Sequence, residues 1–375
     1  MSYMGLIYSY SDKENLRELT STRALAALSI GGKYRIIDFV LSNFVNSGIF
    51  EVSVIARTNY HSLIEHLGSG AEWDMSRKRG GLRVLTPFAN KEAAEGAQIY
   101  RGTIDALGSH LHSIKKSMAE YVILTGSRIL YTIDYRDMVR AHQESGADIT
   151  VAYTQQMNGT NHVPQGVPMI RMDERKQILE VEILEDEQNN REGAWCIGAG
   201  VIRKTLLESL IADAISHQRY DLYTDILKRL SPSLKVFGYE YNGHLLEIST
   251  IASYMEANKA MLDPDFSAKV FQKTVYTKVK DSVPARYGPG CYVGNSMIAD
   301  GCQIMGTVIN SVVSRGVHVD RNAVVKDSII MQDTEIMDHA RVEHAILDKD
   351  VIVRDGREVI GHPAYPIVLP KMTIV

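Results

Sequence analysis

An apolar residue recurs at every sixth position near the end of this chain, and this period limits its fold more than any other feature. The series consists of Val324, Ile330, Ile336 and Val342. Ile298 and Ile304 show the same step, and small or turn-forming residues lie between the apolar positions from Ile298 to Val324, among them Gly301, Gly306, Gly316 and Asn322. Such a repeat is typical of a parallel β-helix, whose successive coils stack apolar residues inward. Chance periodicity in a Val- and Ile-rich stretch is the alternative explanation.

The first part of the chain follows a different pattern, in which short apolar runs alternate with helical periodicity. Helices are predicted over 37–47 and 104–116, a helix start at Asp134 and a strand over 147–153. Continuous apolar runs such as 121–124 fit strands that are covered on both faces. This order predicts βαβ units and an α/β domain with a largely parallel sheet.

The length of 375 residues favours two domains rather than one. The helical pattern ends near residue 262. Beyond the prolines at 264 and 284, the sequence changes to short strand-like runs separated by turn residues. We therefore predict an α/β domain over 1–262, a linker over 263–284 and a β-helix over 285–375.

Charge and composition exclude several classes of function. Lys and Arg number 41 and Asp and Glu 45, a formal charge of −4, so no basic field favours nucleic acid or an anionic membrane. No run approaches the roughly 20 apolar residues of a membrane span, and the start lacks the basic segment of a signal peptide. We expect a cytoplasmic protein.

The chain has three cysteines, Cys196, Cys291 and Cys302. Their spacing is not that of a metal site, and we expect them to act as small buried apolar side chains.

The segment that begins LRELTSTRALAALSIGGKYRIIDF at Leu16 resembles the bacterial ADP-glucose pyrophosphorylase (glucose-1-phosphate adenylyltransferase) family. Further similar blocks begin at His66, Tyr100, Glu120 and Gly243, and together they span nearly the whole chain. The resemblance implies a Rossmann-like nucleotidyltransferase domain with a mixed, mostly parallel sheet, followed by a left-handed parallel β-helix. It also implies a family activity, the synthesis of ADP-glucose and pyrophosphate from ATP and glucose 1-phosphate with Mg²⁺.

Several positions that carry this chemistry in the family are replaced here. The glycine-rich phosphate loop corresponds to residues 10–16, which contain no glycine, and the family's Arg is Asn15. A phosphate-binding Lys is replaced by Leu25, and the metal-ligand Asp by Ser127. Backbone N–H donors, cations and carboxylate-held Mg²⁺ stabilise this kind of transition state. We expect no metal site of that kind in this chain.

Two further positions concern the second metal carboxylate and the sugar phosphate. Glu247 corresponds to the carboxylate and is a remnant of the metal site. The sugar-phosphate Lys corresponds to Leu184, within an acidic stretch that would oppose glucose 1-phosphate. The acidic residues of that stretch are Glu180, Glu182, Glu185, Asp186 and Glu187.

These replacements, together with the intact remainder, resemble the non-catalytic GlgD-type subunits of the family. The resemblance implies a subunit with little or no activity alone that regulates a catalytic ADP-glucose pyrophosphorylase subunit in glycogen biosynthesis. It implies a hetero-tetramer with that partner, or a homo-oligomer alone. No cofactor is expected in this chain, with Mg²⁺ in the catalytic partner.

Two groups of residues are candidates for ligand binding. Gly102, Thr103 and Asp105 resemble the family's adenine-contacting loop, and a purely structural role is the alternative. Arg23 and Arg35 match basic positions of the family's site for anionic metabolite effectors, although Thr22 and Ser29 replace other basic positions of that site. The alternative for the two arginines is pairing with Asp38 or Glu18.

Two rival functions account for fewer of these observations. An active sugar-1-phosphate nucleotidyltransferase would use Glu247 for Mg²⁺ and Arg128 or Lys13 for the lost cations. A hexapeptide acyltransferase would use a histidine of the repeats, and the available ones are His318, His339 and His344. His61 and His66 are interpreted as part of a helix surface, and Arg77, Lys78 and Arg79 as a solvated loop.

Overall fold

A computed structural model describes residues 2–9, 15–87, 100–155, 166–183 and 193–375 of the chain. An α/β domain comes first and a left-handed parallel β-helix follows, as predicted. No helix in these ranges is long and apolar enough to cross a membrane.

The strands of the α/β domain are β1 (Tyr3–Tyr8), β2 (Ser29–Ile30), β3 (Tyr34–Arg35), β4 (Glu51–Ile55), β5 (Gly81–Leu85), β6 (Tyr121–Gly126), β7 (Ile129–Tyr131), β8 (Ile149–Thr154), β9 (Pro168–Met172), β10 (Ile178–Ile183), β11 (Ala194–Arg203), β12 (Val236–Glu240) and β13 (Leu245–Glu247). The helices are α1 (Ile36–Asn46), α2 (His61–Leu67), α3 (Thr103–Ser109), α4 (Leu111–Lys116), α5 (Tyr135–Ser145), α6 (Lys204–Ser216), α7 (Lys228–Leu230), α8 (Ile251–Ala260) and α9 (Pro264–Val270).

The central sheet of the described residues has the order β10-β9-β11-β6-β1-β4-β5, with β8 between β11 and β12. Strands β6, β1, β4 and β5 are mutually parallel, whereas β11 runs antiparallel to β6 and β8. Strand β6 is buried at every position, because apolar side chains cover both faces of the sheet. Parallel strands place their carboxyl ends at one edge, which positions the site described below.

Most of the predicted elements are present, with one correction. The predicted helix over 37–47 is α1, and the helix start at Asp134 is confirmed, since its side chain accepts a hydrogen bond from the Arg136 N–H at 3.0 Å. The single helix predicted over 104–116 is wrong. The chain leaves helical geometry at His110, where φ is −112°, and the buried imidazole lies 2.9 Å from the Tyr100 hydroxyl. Two short helices, α3 and α4, result.

The segment predicted as a linker begins with α9. Asp263 caps this helix by accepting a hydrogen bond from the Asp265 N–H, and Pro264 occupies its first turn, where no backbone donor is needed. Residues 271–284 then lead to the β-helix without a further helix or strand.

Within residues 285–375, all of which are described, three parallel sheets form the walls of the β-helix. The first sheet contains β14 (Arg286–Tyr287), β17 (Gln303–Ile304), β20 (His318–Val319), β23 (Glu335–Ile336) and β26 (Ile352–Val353). The second contains β15 (Tyr292–Gly294), β18 (Thr307–Ile309), β21 (Val324–Lys326), β24 (Arg341–Glu343) and β27 (Glu358–Ile360). The third contains β16 (Met297–Ile298), β19 (Val312–Val313), β22 (Ile329–Ile330), β25 (Ala345–Leu347) and β28 (Ile367–Leu369).

The predicted six-residue period holds except at Val324. Ile330, Ile336 and Val342 are fully buried, but the inward residue of β21 is Val325, which pairs with Val342. The coil between these two valines is one residue shorter than three six-residue repeats. The turns tolerate this because residues such as Asn310 and Asp327 adopt left-handed backbone geometry, with φ of 47° and 50°.

The third sheet packs against the α/β domain. Ile329 and Ile346 of this sheet belong to one apolar cluster with Leu25 and with Tyr254 of α8. Beside the cluster, the Arg23 guanidinium donates two hydrogen bonds to the Asp348 carboxylate, both at 2.8 Å. Both side chains are almost completely buried, so this ion pair lies inside the interface between the domains.

We expect the substitution Asp348→Asn to lower the free energy of unfolding by about 3 to 5 kcal/mol, because it leaves the Arg23 guanidinium buried without a counter-charge. Urea denaturation followed by circular dichroism measures this loss. The matched control is Glu343→Gln, which removes the ion pair with partly exposed Arg341 and should cost less than about 1 kcal/mol. Equal losses in the two variants would contradict the assignment.

Candidate functional site

A cleft of about 200 Å³ opens at the carboxyl ends of β1 and β6. Tyr8 ends β1 and Gly126 ends β6, and both residues line the cleft. Ligands of α/β sheets bind at this edge, outside the carboxyl ends of the strands. We refer to this space, which Ser127, Arg128 and Gly198 also line, as the cleft.

The Tyr8 side chain fills part of the cleft beside β6. A Cβ at Gly126 would lie 2.8 Å from the Tyr8 ring, so only glycine accommodates the ring there. Burial raises the pKa of the Tyr8 phenol above its usual range, and the neutral hydroxyl donates to the Gly198 carbonyl at 3.1 Å. The Tyr8 ring therefore takes up part of the space at the carboxyl ends of β1 and β6.

An ion pair involves Glu247, the residue that corresponds to the family's second metal carboxylate. Strand β13 pairs with β7, and this register sets Glu247 beside the residue that follows Arg128. Arg128 Nε donates to Glu247 Oε1 at 2.6 Å, and the two side chains are 14% and 10% exposed. A guanidinium at this distance competes directly with any cation for the carboxylate.

The residues of the cleft do not fit Mg²⁺. Mg²⁺ prefers carboxylate oxygens in octahedral geometry, whereas Ser127 offers a neutral hydroxyl and Glu247 already binds Arg128. Oδ1 of the remaining carboxylate, Asp221, accepts hydrogen bonds from the Tyr223 N–H, the Thr224 N–H and the Thr224 hydroxyl. No group of three His, Cys, Asp or Glu side chains suited to a metal occurs in the described ranges.

Two other replaced positions, Leu25 and Asn15, do not line the cleft. Leu25 is 1% exposed and belongs to the apolar cluster at the domain interface, where a lysine charge would have no partner. Asn15 is exposed, and its N–H donates to the Ser249 carbonyl at 2.6 Å. Leu184 lies outside the described residues, as do Lys13 and most of the acidic stretch.

Of the nucleotide-binding candidates, Thr103 alone lines the cleft. A Cβ at Gly102 would collide with the Tyr220 carbonyl oxygen, to which the Ile104 N–H donates at 2.8 Å. This contact supplies a structural reason for the glycine. Asp105 accepts hydrogen bonds from the Arg101 backbone N–H and side chain at 3.0 to 3.2 Å.

The effector candidates Arg23 and Arg35 lie near the junction of the two domains. Arg23 pairs with Asp348 rather than with Glu18 or Asp38. The Arg35 guanidinium donates to the backbone oxygen and hydroxyl of Ser62 at 2.8 and 2.9 Å, and its contact with Asp38 is a backbone hydrogen bond. Arg23 is thus engaged within the protein, and a role in effector binding stays a prediction for both residues.

Lys349 is a residue of this junction that the sequence analysis missed. The pKa of its ammonium is lowered to about 8, chiefly by burial and then by the nearby charges of Arg35 and Arg23, whereas Asp348 acts in the opposite direction. A lysine in such surroundings favours an anionic ligand. Only the folded structure brings Lys349 to Arg35, because the two lie in different domains.

The remaining candidates take structural or surface positions. His66 Nε2 lies 2.6 Å from the buried Asp38 carboxylate, rather than in a metal pair with His61. Arg77 pairs with Asp74 on the surface. In the β-helix, His318 is partly exposed and lies beside Asp320, and His339 is exposed and lies beside Asp338. Cys196 and Cys302 are buried and Cys291 is partly buried, and all three are free thiols.

Comparison with known proteins gives two family matches. Residues 14–261 match the nucleotidyl transferase family, and residues 282–364 match the GlmU-like C-terminal hexapeptide family. The chain is 31% identical to the glycogen biosynthesis protein GlgD of Bacillus subtilis, over 98% of this chain and 95% of that protein. It is 32% identical to the glucose-1-phosphate adenylyltransferases of Fervidobacterium nodosum (96% of this chain, 86% of that protein) and Acetivibrio thermocellus (93% and 82%).

We expect the affinity of the junction for an anion to fall as pH rises from 7.5 to 9.5. The Lys349 ammonium loses its proton near pH 8 in the free protein, and a bound anion favours the protonated form, so binding takes up a proton above that pH. Sulfate at millimolar concentration is a suitable probe because its charge is constant over this range. Its stabilisation of the protein, read as a shift in Tm, should be lost by pH 9.5.

The variant Lys349→Met should abolish the sulfate effect at pH 7.5. The control is Lys371→Met, because Lys371 is a half-exposed lysine 3.7 Å from Asp350 on the same β-helix. A sulfate effect that is equal at both pH values, or that survives in Lys349→Met, would contradict the role of Lys349.

Proposed function

The chain belongs to the nucleotidyl transferase family that includes the glucose-1-phosphate adenylyltransferases, and we propose that it is a non-catalytic regulatory subunit of ADP-glucose pyrophosphorylase in glycogen biosynthesis. In this proposal it modulates a catalytic homologue, with which it forms a hetero-tetramer. The chain carries no cofactor, Mg²⁺ is held by the catalytic partner, and both are cytoplasmic. The similarity to the protein named GlgD over almost all of both chains supports this assignment.

The observation that carries the proposal is the Arg128–Glu247 ion pair at the metal position. Transfer of a nucleotidyl group brings several negative charges together, and a divalent cation between the reacting phosphates stabilises them. Among the described residues, Glu247 is bound to Arg128, Ser127 is neutral, and Asp221 is the one lining carboxylate, with Oδ1 already accepting three hydrogen bonds, so the set of ligands that this cation needs is incomplete. Loss of one group that stabilises the transition state typically lowers the rate by 100-fold or more, and losses at one centre are not additive.

The preserved frame supports a role in assembly and regulation. The Arg23–Asp348 pair and an apolar cluster hold together the two domains, each of which matches one of the two families. The cations at the junction, Arg35 and Lys349, supply the chemistry that an anionic metabolite effector would need. We propose that this junction is where the subunit senses such a metabolite.

The proposal is tested by the release of pyrophosphate from ATP and glucose 1-phosphate with Mg²⁺. Three samples are compared: this chain, a catalytic homologue from the same cell, and the two mixed. We expect a rate for this chain alone at least about 1,000-fold below that of the homologue. In the mixture, we expect the homologue's rate or its effector response to change, together with a larger particle mass by light scattering.

The same assay distinguishes the rival enzyme reading. If the chain were itself an active nucleotidyltransferase with Glu247 on the metal, it would release pyrophosphate alone, and Glu247→Ala would eliminate that rate. Two outcomes would contradict the regulatory assignment. The first is activity of the chain alone at the homologue's level. The second is a mixture whose rate, effector response and particle mass equal those of the two proteins measured separately.

A further inference from the structure

A second cavity, of about 320 Å³, lies between the α/β domain and the β-helix, and we refer to it as the interdomain groove. Its volume falls in the range of about 300 to 1,000 Å³ that is typical of small-molecule sites. The first turn of α8 lines its α/β side, together with Asn15, Arg17 and Glu18. The β-helix side is lined by Ala364, Tyr365, Pro366 and Val368. No described residue lines both the groove and the cleft.

The β-helix side of the groove is built by an insertion in the last coil. In the four preceding coils, one or two residues connect a strand of the second sheet to the next strand of the third sheet. In the last coil, the six residues 361–366 connect β27 to β28. Insertions into single repeats of such proteins form loops on one face, which is often the binding face. The position of this insertion therefore indicates a function for the groove.

The inserted loop has a defined conformation. The Tyr365 N–H donates to the His362 carbonyl at 2.9 Å, and the Ala364 N–H donates to His362 Nδ1 at 3.2 Å. The Gly361 N–H donates to the Glu343 carbonyl at 2.8 Å, which anchors the start of the loop to the preceding coil. Tyr365 is nevertheless 81% exposed. A fixed turn thus holds an aromatic side chain at the groove, which lowers the entropic cost of binding a ligand there.

The opposite wall of the groove contains an arginine with a strained backbone. Arg17 has a φ of 47°, in the left-handed region that glycine adopts without strain. The side chains of Arg17, Glu18 and Asn15 are exposed where they line the groove. Strained residues of this kind cluster at sites that bind ligands. The strain at Arg17 therefore supports a contact between its side chain and a ligand.

The lining residues define the class of that ligand. One guanidinium and one carboxylate balance each other, so the groove does not favour a ligand of high charge. Arg17 donates hydrogen bonds, Glu18 accepts them and the Asn15 amide does both, which suits a ligand with many hydroxyl groups. The Tyr365 ring has an apolar face and a polar tip, and a sugar ring likewise has an apolar C–H face and a rim of hydroxyl groups. These features together match an uncharged carbohydrate.

We infer that the interdomain groove binds a neutral oligosaccharide of glucose. The Tyr365 ring stacks on the apolar face of one sugar unit, and Arg17 and Glu18 form hydrogen bonds with hydroxyl groups across the groove. The choice of glucose units rests on the proposed function, because glycogen is a polymer of glucose. Such a site holds the subunit on the polymer whose synthesis it serves. No bond is formed or broken, and no metal ion takes part.

Isothermal titration calorimetry of the full chain with maltoheptaose, a linear oligosaccharide of glucose, tests this inference. We expect saturable binding at one site per chain, with a Kd of about 1 mM or lower. Absence of binding at maltoheptaose concentrations up to about 20 mM would overturn the inference.

An anion is the rival ligand, because the N-terminus of α8 at the groove carries a partial positive charge. Sulfate at about 10 mM should leave the Kd for maltoheptaose within roughly twofold, since an uncharged ligand does not depend on that charge. Competition by sulfate would overturn the assignment to a carbohydrate, because it would identify a site for an anion.

The substitution Tyr365→Ala tests the stacking surface. It should weaken maltoheptaose binding roughly tenfold, and it should leave the unfolding midpoint unchanged because the side chain is exposed. The matched control is Tyr287→Ala, which removes an exposed tyrosine of the first coil that does not line the groove. The control should bind as the original chain does. Equal affinities in the two variants would overturn the role of Tyr365.

The substitution Arg17→Gly separates binding from folding. Glycine adopts the left-handed geometry at this position without strain, so the unfolding midpoint should not fall. The Kd for maltoheptaose should nevertheless rise by roughly threefold or more, because a hydrogen-bonding group is lost. A folded variant with unchanged affinity would overturn the contact assigned to Arg17.

Failure of this inference can be distinguished from failure of the proposed function. If the chain alters the rate of its catalytic partner but binds no maltoheptaose, the inference about the groove is wrong and the regulatory role stands. If it binds maltoheptaose but leaves the partner's rate, effector response and particle mass unchanged, the carbohydrate site stands and the regulatory role is wrong.

Discussion

The arrangement of the two domains depends on one buried ion pair, between Arg23 and Asp348. Removing two charges from water is costly, and the attraction between them offsets that cost only when the geometry is good and further polar groups are satisfied. Both guanidinium nitrogens that face Asp348 donate to it at 2.8 Å, which meets this condition. The pair also fixes position, because a small slip between the domains would separate two charges in an apolar interface. The neighbouring Lys349 is thereby held close enough to Arg35 for their charges to interact.

A single helix links this junction to the cleft. Glu247 ends β13 at the cleft, and Thr250 caps α8 three residues later by accepting a hydrogen bond from the Ser253 N–H. From α8, the Tyr254 hydroxyl donates to the Ser29 carbonyl, and Lys259 pairs with Asp327 of the β-helix. The helix that closely follows the carboxylate partner of Arg128 in the chain therefore contacts both sides of the junction. The cleft and the junction share structural support, which fits a subunit that responds to metabolites without reacting with them.

The fold was readable from the sequence to the extent that local pattern determines it. The α/β order, α1, the Asp134 cap and the β-helix all follow from apolar periodicity and turn residues, which act over a few positions. The inward orientation of Val325 in place of Val324, and the end of helix α3 at His110, depend on packing that the periodicity of the sequence does not specify. For the site, the loss of charge at Leu25 and Ser127 was visible in the sequence. The partners of Arg23 and Arg128 were not, because Asp348 and Glu247 lie 325 and 119 residues away.

The cleft differs from a metal site by more than one missing carboxylate. An aspartate in place of Ser127 would lie next to a guanidinium that already binds Glu247, and it would compete for Arg128 before it attracted a divalent cation. Removing Arg128 alone would leave the Glu247 carboxylate buried without its partner, which destabilises the fold. Arg128 and Glu247 therefore depend on each other. The Arg128 guanidinium, which is fixed in the protein, lies beside the carboxylate where an exchangeable metal ion would otherwise bind. A cation that is already paired with a carboxylate stabilises developing negative charge poorly, and phosphoryl chemistry depends on that stabilisation.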